Sequence, residues 1–264
     1  MWILAWETVF RLSGREAYEF TPPGDVLSAL WSGISDGPVH AGSPDEARKA
    51  LWGVCGDSTF VNAVCRSMLR IGLGFGVALA LGFTLGFLLV HSRVCNWLMG
   101  PLVLGVQSLP SICWMPVAVL WFGLSERAIL FVVLMGSLGS ITMATRDGLR
   151  QVPVTYQRVA STFGASLTQR LLWVSLPAAL PVFISGLKQG WSFAWRSLLA
   201  GELLYSVAGR EGMGGLLTMA RDLADYGRMF AAMIVIVCIS VLVDRVIFNR
   251  LEQHVRLRWG LAAR

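Results

Sequence analysis

Long apolar runs separated by short polar breaks dominate the chain. A helix that crosses a bilayer needs about 20 mainly apolar residues. Four stretches meet that length, at 71–90, 97–122, 128–144 and 178–204. A fifth at 229–248 is interrupted only by Asp244 and Arg245 near its end. Residues 1–10 are apolar but too short to cross, with no basic leader and no small-residue cleavage site. They are expected to be the tail of a sixth, truncated span; a short interfacial segment is the competing reading. Residues 15–60 are the most water-compatible part, with turns at Pro22-Pro23-Gly24, Gly37-Pro38 and Ser43-Pro44.

The segment 150–176 breaks this pattern. From Tyr156 the apolar positions fall at Tyr156, Val159, Ala160, Phe163, Leu167, Leu171 and Val174, which is helical periodicity with one apolar face. Gln157, Arg158, Ser161 and Thr162 form the polar face. Pro153 suits the first position of a helix, where a missing N–H goes unused. Gly164 interrupts the pattern, and Ser166 with Gln169 then has the spacing of a capping box. Two short helices joined at Gly164 are expected, with the next span starting at Pro177 and Pro181. Such a hairpin either docks a soluble protein or lies on the headgroups with Arg158 and Arg170 toward anionic lipid.

Composition places all of this in a membrane. The chain has 264 residues, 55% hydrophobic and 14% charged, where a soluble domain has about one quarter charged. Mean hydropathy is +0.62. The net charge of +6 comes from scattered residues, without the basic-aromatic runs of a nucleic-acid surface. Five widely spaced cysteines and no CxxC give no disulfide framework or metal motif, so the cysteines are expected to be packing residues. No HExxH and no GxxxxGK[ST] occur, which removes a zincin site and an ATP-binding loop from this chain. Orientation is read with the hairpin in the cytoplasm. That side then holds Arg93, Arg146, Arg150, Arg158 and Arg170, and the basic tail 250–264 follows the last span.

Arg158-Val159-Ala160, Gly164, Val174, Leu176 and Pro177 have the spacing of a known signature: Glu-Ala-Ala, three residues, Gly, nine residues, Ile, one residue, Leu-Pro. In this the chain resembles the permease subunits of ABC importers. Further matches run along most of its length, including Leu69-Arg70, Leu109-Pro110, Asp147-Gly148, Trp195 and Ala200-Gly201-Glu202. They resemble the subfamily importing nitrate, aliphatic sulfonates, taurine, bicarbonate or thiamine precursors. The stretch 36–50 is longer than in relatives, and Arg158 stands where the family has Glu. The resemblance implies an all-α polytopic bundle of the type I importer kind, a single permease domain over 1–264 with core 61–250. It also implies a homodimer, two ATPase subunits that bind ATP and Mg, and an external solute-binding protein. No cofactor is expected in this chain. Arg158, Val159, Ala160, Gly164, Leu176 and Pro177 would then carry coupling to the ATPase.

Span 178–204 holds Lys188, Arg196 and Glu202, and charges at that depth normally face a bundle interior or a watery path. Lys188, Gln189, Arg196 and Glu202 are therefore candidates for the solute path, and two cations there would favour an anion. The alternative is a structural role through pairing within the bundle. A secondary transporter or channel is the rival class, but no duplicated half is evident.

Overall fold

The computed structural model describes residues 7–8, 21–35, 59–205 and 211–258, all of whose regular elements are helices. They are α1 (Pro23–Ser35), α2 (Thr59–His91), α3 (Arg93–Ser108), α4 (Ser111–Phe122), α5 (Glu126–Arg150), α6 (Val154–Thr162), α7 (Leu167–Leu204), α8 (Met213–Asp222) and α9 (Tyr226–Leu257). Apart from residues 7–8, the expected truncated span at 1–10 lies outside the described residues, as does the stretch 36–50. Four helices (α2, α5, α7 and α9) are long and apolar enough to cross a membrane, and the bent pair α3–α4 makes a fifth crossing if counted as one.

α5 is the axis of the bundle. Thirteen of its residues are buried, and it runs between α2 and α7. Small residues allow that approach, since backbones held close gain dispersion contacts that lipid cannot match. At Gly86 of α2, a Cβ would lie 2.6 Å from both the Thr142 carbonyl oxygen and Thr145 Cβ of α5. At Gly186 of α7 it would collide with the Cβ of Ala144. The outer faces are apolar instead: Leu73, Val77, Leu81 and Leu88 form an exposed stripe along α2. An apolar exterior around a core sealed by small residues is the pattern of a protein dissolved in lipid.

Three expectations are corrected. The run 97–122 is not one straight span: α3 and α4 meet at 102°. Pro110 offers no N–H and forces Leu109 into an extended conformation, ψ 131°. The span expected to start at Pro177 starts instead at Leu167, so the second hairpin helix is the first turn of α7. A wider π turn over Leu171–Ser175, closed by the Leu176 N–H on the Leu171 carbonyl, leads into Pro177, and the helix runs on through Pro181 unbroken. Cysteines are also not uniformly packing residues: Cys65 is disulfide-bonded, whereas Cys95, Cys113 and Cys238 are free thiols.

Around the axis, α1 packs on α9, and Val26, Phe60, Ala63, Met213, Leu216, Ala231 and Ala232 form one core drawn from α1, α2, α8 and α9. Gly86→Leu should lower the melting temperature of the detergent-purified protein well below wild type, because the added atoms meet backbone. Overpacking of this kind costs about 1–3 kcal/mol. Gly76→Leu, where a Cβ meets nothing within 4 Å, should melt as wild type; equal losses in both would contradict the packing account.

Candidate functional site

Two regions at opposite ends of the bundle gather the candidate residues. At the first end, α6 starts at Val154 with Pro153 one position before it, in an extended conformation (ψ 130°), rather than as its first residue. The helix stops at Gly164, which has φ +78°, the left-handed conformation that side chains with a Cβ resist. The Gly164 N–H donates to the Ser161 carbonyl at 3.0 Å and the Ala165 N–H to the Ala160 carbonyl at 3.1 Å. This pair is a Schellman closure, which uses up carbonyls left open at a helix end. Two residues on, Ser166 Oγ accepts from the Gln169 N–H at 3.3 Å while Gln169 Oε1 accepts from the Ser166 N–H at 2.8 Å. The chain direction is thus fixed by backbone geometry on one side of Gly164 and by a capping box on the other.

The hairpin's exposed surface is more apolar than its sequence pattern implies. Tyr156, Val159 and Phe163 are exposed together with Leu167, and Phe163 is 86% exposed. Gln157, Ala160 and Arg170 are instead partly covered. The apolar positions point outward, while Gln157 and Arg170 face the start of α7 and the ends of α2 and α5. Between them lies a cleft of about 350 Å³ lined by His91, Leu149, Gln157, Arg170, Leu171 and Ser175. Arg158 is exposed, and its carbonyl accepts from the Ser161 and Thr162 hydroxyls. Leu176 and Pro177 sit partly buried in α7 just past the π turn.

Along α7 the four candidate path residues separate. Lys188 Nζ lies 2.8 Å from Asp244 Oδ1 and 3.2 Å from Asn249 Oδ1, both on α9. Glu202 is 1% exposed and fully partnered. It accepts from Arg70 Nη1 at 2.8 Å, from the Ser67 hydroxyl at 2.9 Å and from the Gly214 N–H at 2.9 Å. Arg70 turns its other edge to Glu126, with Nε and Nη2 each 2.6 Å from a carboxylate oxygen. Ser67 Oγ also accepts from the Met213 N–H at 2.9 Å. One guanidinium therefore ties α2, α5 and α7 together, and the Glu202 carboxylate holds the start of α8, where amide donors and the helix dipole favour negative charge. A Cβ at Gly212 would strike that carboxylate. Gln189 and Arg196 are exposed instead.

Arg70, Glu126 and Ser67 were not singled out from sequence as site residues. The available signal was a charge at each end of an apolar run, Arg70 just before 71–90 and Glu126 just before 128–144. Their convergence on Glu202 depends on how α2, α5 and α7 pack.

Residues 73–257 match the family described as binding-protein-dependent transport system inner membrane component. A putative ABC transporter permease of Methanocaldococcus jannaschii is 31% identical, over 73% of this chain and 72% of the relative. The bicarbonate transport system permease of Synechococcus elongatus is 30% identical, over 68% of this chain and 64% of its own length. The taurine transport system permease of Escherichia coli is 25% identical, over 83% and 82%. Among solved structures, an inward-facing MetNI methionine ABC transporter chain aligns with TM-score 0.63 at 18% identity, over 74% of this chain and 95% of that one. At that identity the likeness concerns the fold.

The two ion clusters in α7 differ in burial, and so should their substitutions. Arg70→Met strands a buried Glu202 carboxylate and is expected to cost about 3–5 kcal/mol. Lys188→Met opens a pair with side chains 39% and 41% exposed and should cost less than Arg70→Met, since neither partner is enclosed. Thermal unfolding of the purified variants checks this; a Lys188→Met loss as large as that of Arg70→Met would contradict the assignment of the lock.

Proposed function

The chain belongs to the family of binding-protein-dependent transport system inner membrane components, and we propose that it is the translocating subunit of an ATP-driven importer of a small anionic solute. Family membership makes it a multi-pass inner-membrane protein that works with separate ATPase and solute-binding components. In the proposed assembly two copies enclose the path, two ATPase subunits hold ATP and Mg²⁺, and an external binding protein delivers the solute.

The observation that carries the coupling role is the hairpin's outward apolar edge. Tyr156, Val159, Phe163 and Leu167 are exposed next to a turn fixed by Gly164 and Ser166. Aromatic side chains on a preorganised turn lose little conformational freedom on docking and are the residue types that anchor protein interfaces. A rigid joint matters because a force applied at α6 must reach α7 without dissipating in the turn. Here the second hairpin helix is continuous with α7, so displacement of the hairpin moves the span directly. Closure of the ATPases around ATP would shift the bundle between inward and outward openings, each state favoured by what binds it more tightly. Arg158, standing at the position of the family glutamate, contacts the ATPase with opposite charge, so a complementary acid is expected on that partner.

The anionic class of solute rests on the relatives named for bicarbonate and taurine transport together with the basic residues within α7. A channel or secondary transporter would need no docking edge.

Phe163→Asp should abolish co-purification of the ATPase subunit while leaving the chain inserted in the membrane. Gly164→Val forces a β-branched residue to φ +78°, so it should uncouple hydrolysis from uptake, with uptake falling tenfold or more, about 1.4 kcal/mol of lost coupling. ATPase pull-down and solute uptake measured on the same membranes test both. Full association in Phe163→Asp, or wild-type uptake in Gly164→Val, would sink the docking role.

A further inference from the structure

Between Leu176 and Leu204, α7 carries three charges, and the structure uses two of them internally. Lys188 is paired with Asp244, and Glu202 is enclosed by Arg70, Ser67 and Gly214. Arg196 differs. Its Nε donates to the carbonyl of Ser192, one turn back in the same helix, at 3.1 Å. Its guanidinium carbon lies 4.8 Å from the centre of the Phe193 ring. Among the described residues no carboxylate forms an ion pair with it, and the residue is exposed. A guanidinium has five N–H donors, so most of its hydrogen-bonding capacity remains open.

The surroundings argue against lipid as the neighbour. Ser185, Gln189, Ser192 and Arg196 are all exposed and are spaced four, three and four residues apart, which places them on one face. The other sides of α7 bury Gly186, Gly190, Ala194, Trp195 and Leu198. On α2 the exposed stripe consists of leucine and valine; on α7 the exposed residues between Ser185 and Arg196 are all polar. Arg196 stands eight residues inside the Leu204 end, about 12 Å along the axis. Its bond to Ser192 turns the side chain deeper rather than toward that end, so it does not reach up to the headgroups in the way long basic side chains near helix ends do. A cation held at such depth on a polar face needs water or an anion before it.

We propose that Arg196 is the anion-recognising residue of the solute path, presenting its open guanidinium edge to a small oxyanion with two coplanar oxygens, with Gln189 on the same wall. Carboxylates, sulfonates, nitrate and bicarbonate all offer such an oxygen pair, which the planar fork of arginine meets with two parallel hydrogen bonds. Phe193 and the Ser192 carbonyl hold the fork in place. Lys188, neutralised by Asp244, serves to fasten α7 to α9. This inference rests on the permease reading for its path, but the charge and the face are properties of the chain itself.

The test places a reporter cysteine at Gln189 in a chain whose Cys95, Cys113 and Cys238 are changed to Ser, expressed with its ATPase in native membranes. The reporter is reacted with the anionic 2-sulfonatoethyl methanethiosulfonate, itself a small sulfonate, and with the cationic trimethylammonium-ethyl reagent. With Arg196 present the anionic reagent is expected to be favoured. Arg196→Gln should lower the anionic-to-cationic rate ratio about tenfold, as removal of one charge within roughly 10 Å in a poorly screened site requires. Arg196→Lys, which keeps the charge, should preserve most of the ratio and so separates electrostatics from misfolding. A ratio unmoved by Arg196→Gln overturns the proposal, and so does a reporter that reacts with neither reagent. Labelling consumes no ATP, so a chain that shows the ratio but binds no ATPase would fail the importer reading alone.

Discussion

A single buried guanidinium organises the end of the bundle opposite the hairpin. Arg70 lies between Glu202 at 2.8 Å and Glu126 at 2.6 Å, residues 132 and 56 positions downstream on two other helices. Removing these charges from water is unfavourable, and their attraction offsets that only if the remaining lone pairs and protons are also satisfied. They are: Ser67 and the Gly214 amide complete Glu202, and Glu126, less buried, retains access to solvent. Because each partner sits on a different helix, a shift of one helix by even one turn would leave a charge alone in an apolar medium. The register of α2, α5 and α7 follows from that penalty, as does the position of α8 beneath the Glu202 carboxylate.

With one end locked, the other end can act as a lever. The hairpin carries its structure in its own backbone: a left-handed glycine, a capping box, and a π turn that joins it to the rest of α7 just before Pro177. What it does not do is bury its apolar edge. A solvent-facing Phe163 beside Val159 and Tyr156 is unfavourable for an isolated chain and is the surface a partner would cover. Buried ion pairs thus lie at one end of the bundle, and exposed apolar side chains at the other. The polar face of α7 lies between these two ends and keeps Ser185, Gln189, Ser192 and Arg196 turned away from the chain's own core.

Local features were readable in the sequence because their causes are local. The break at Gly164 and the cap at Ser166–Gln169 follow from chain spacing alone, and both are present. Span lengths followed from hydropathy, and helices appear at every predicted span, although the run through Pro110 is bent by 102°. That bend was missed because hydropathy averages over the residue that breaks the helix. The continuity of α7 was missed for the opposite reason: prolines signal a start, but here the helix runs on through them. Burial of Glu202 and pairing of Lys188 depend on Ser67, Arg70, Asp244 and Asn249, residues 56 to 135 positions away from their partners and on other helices. No window along the chain contains that information.

The central claim is that this chain moves solute only when driven from its hairpin by a separate ATPase. Reconstitution into proteoliposomes tests it most directly, using the chain alone, with its ATPase, and with ATPase and binding protein together, and labelled bicarbonate, nitrate and taurine as probes. The account predicts uptake of at least one of these anions that requires all components and ATP, and none by the chain alone under an ion gradient. Gradient-driven uptake by the chain alone, with no dependence on ATP, would contradict it.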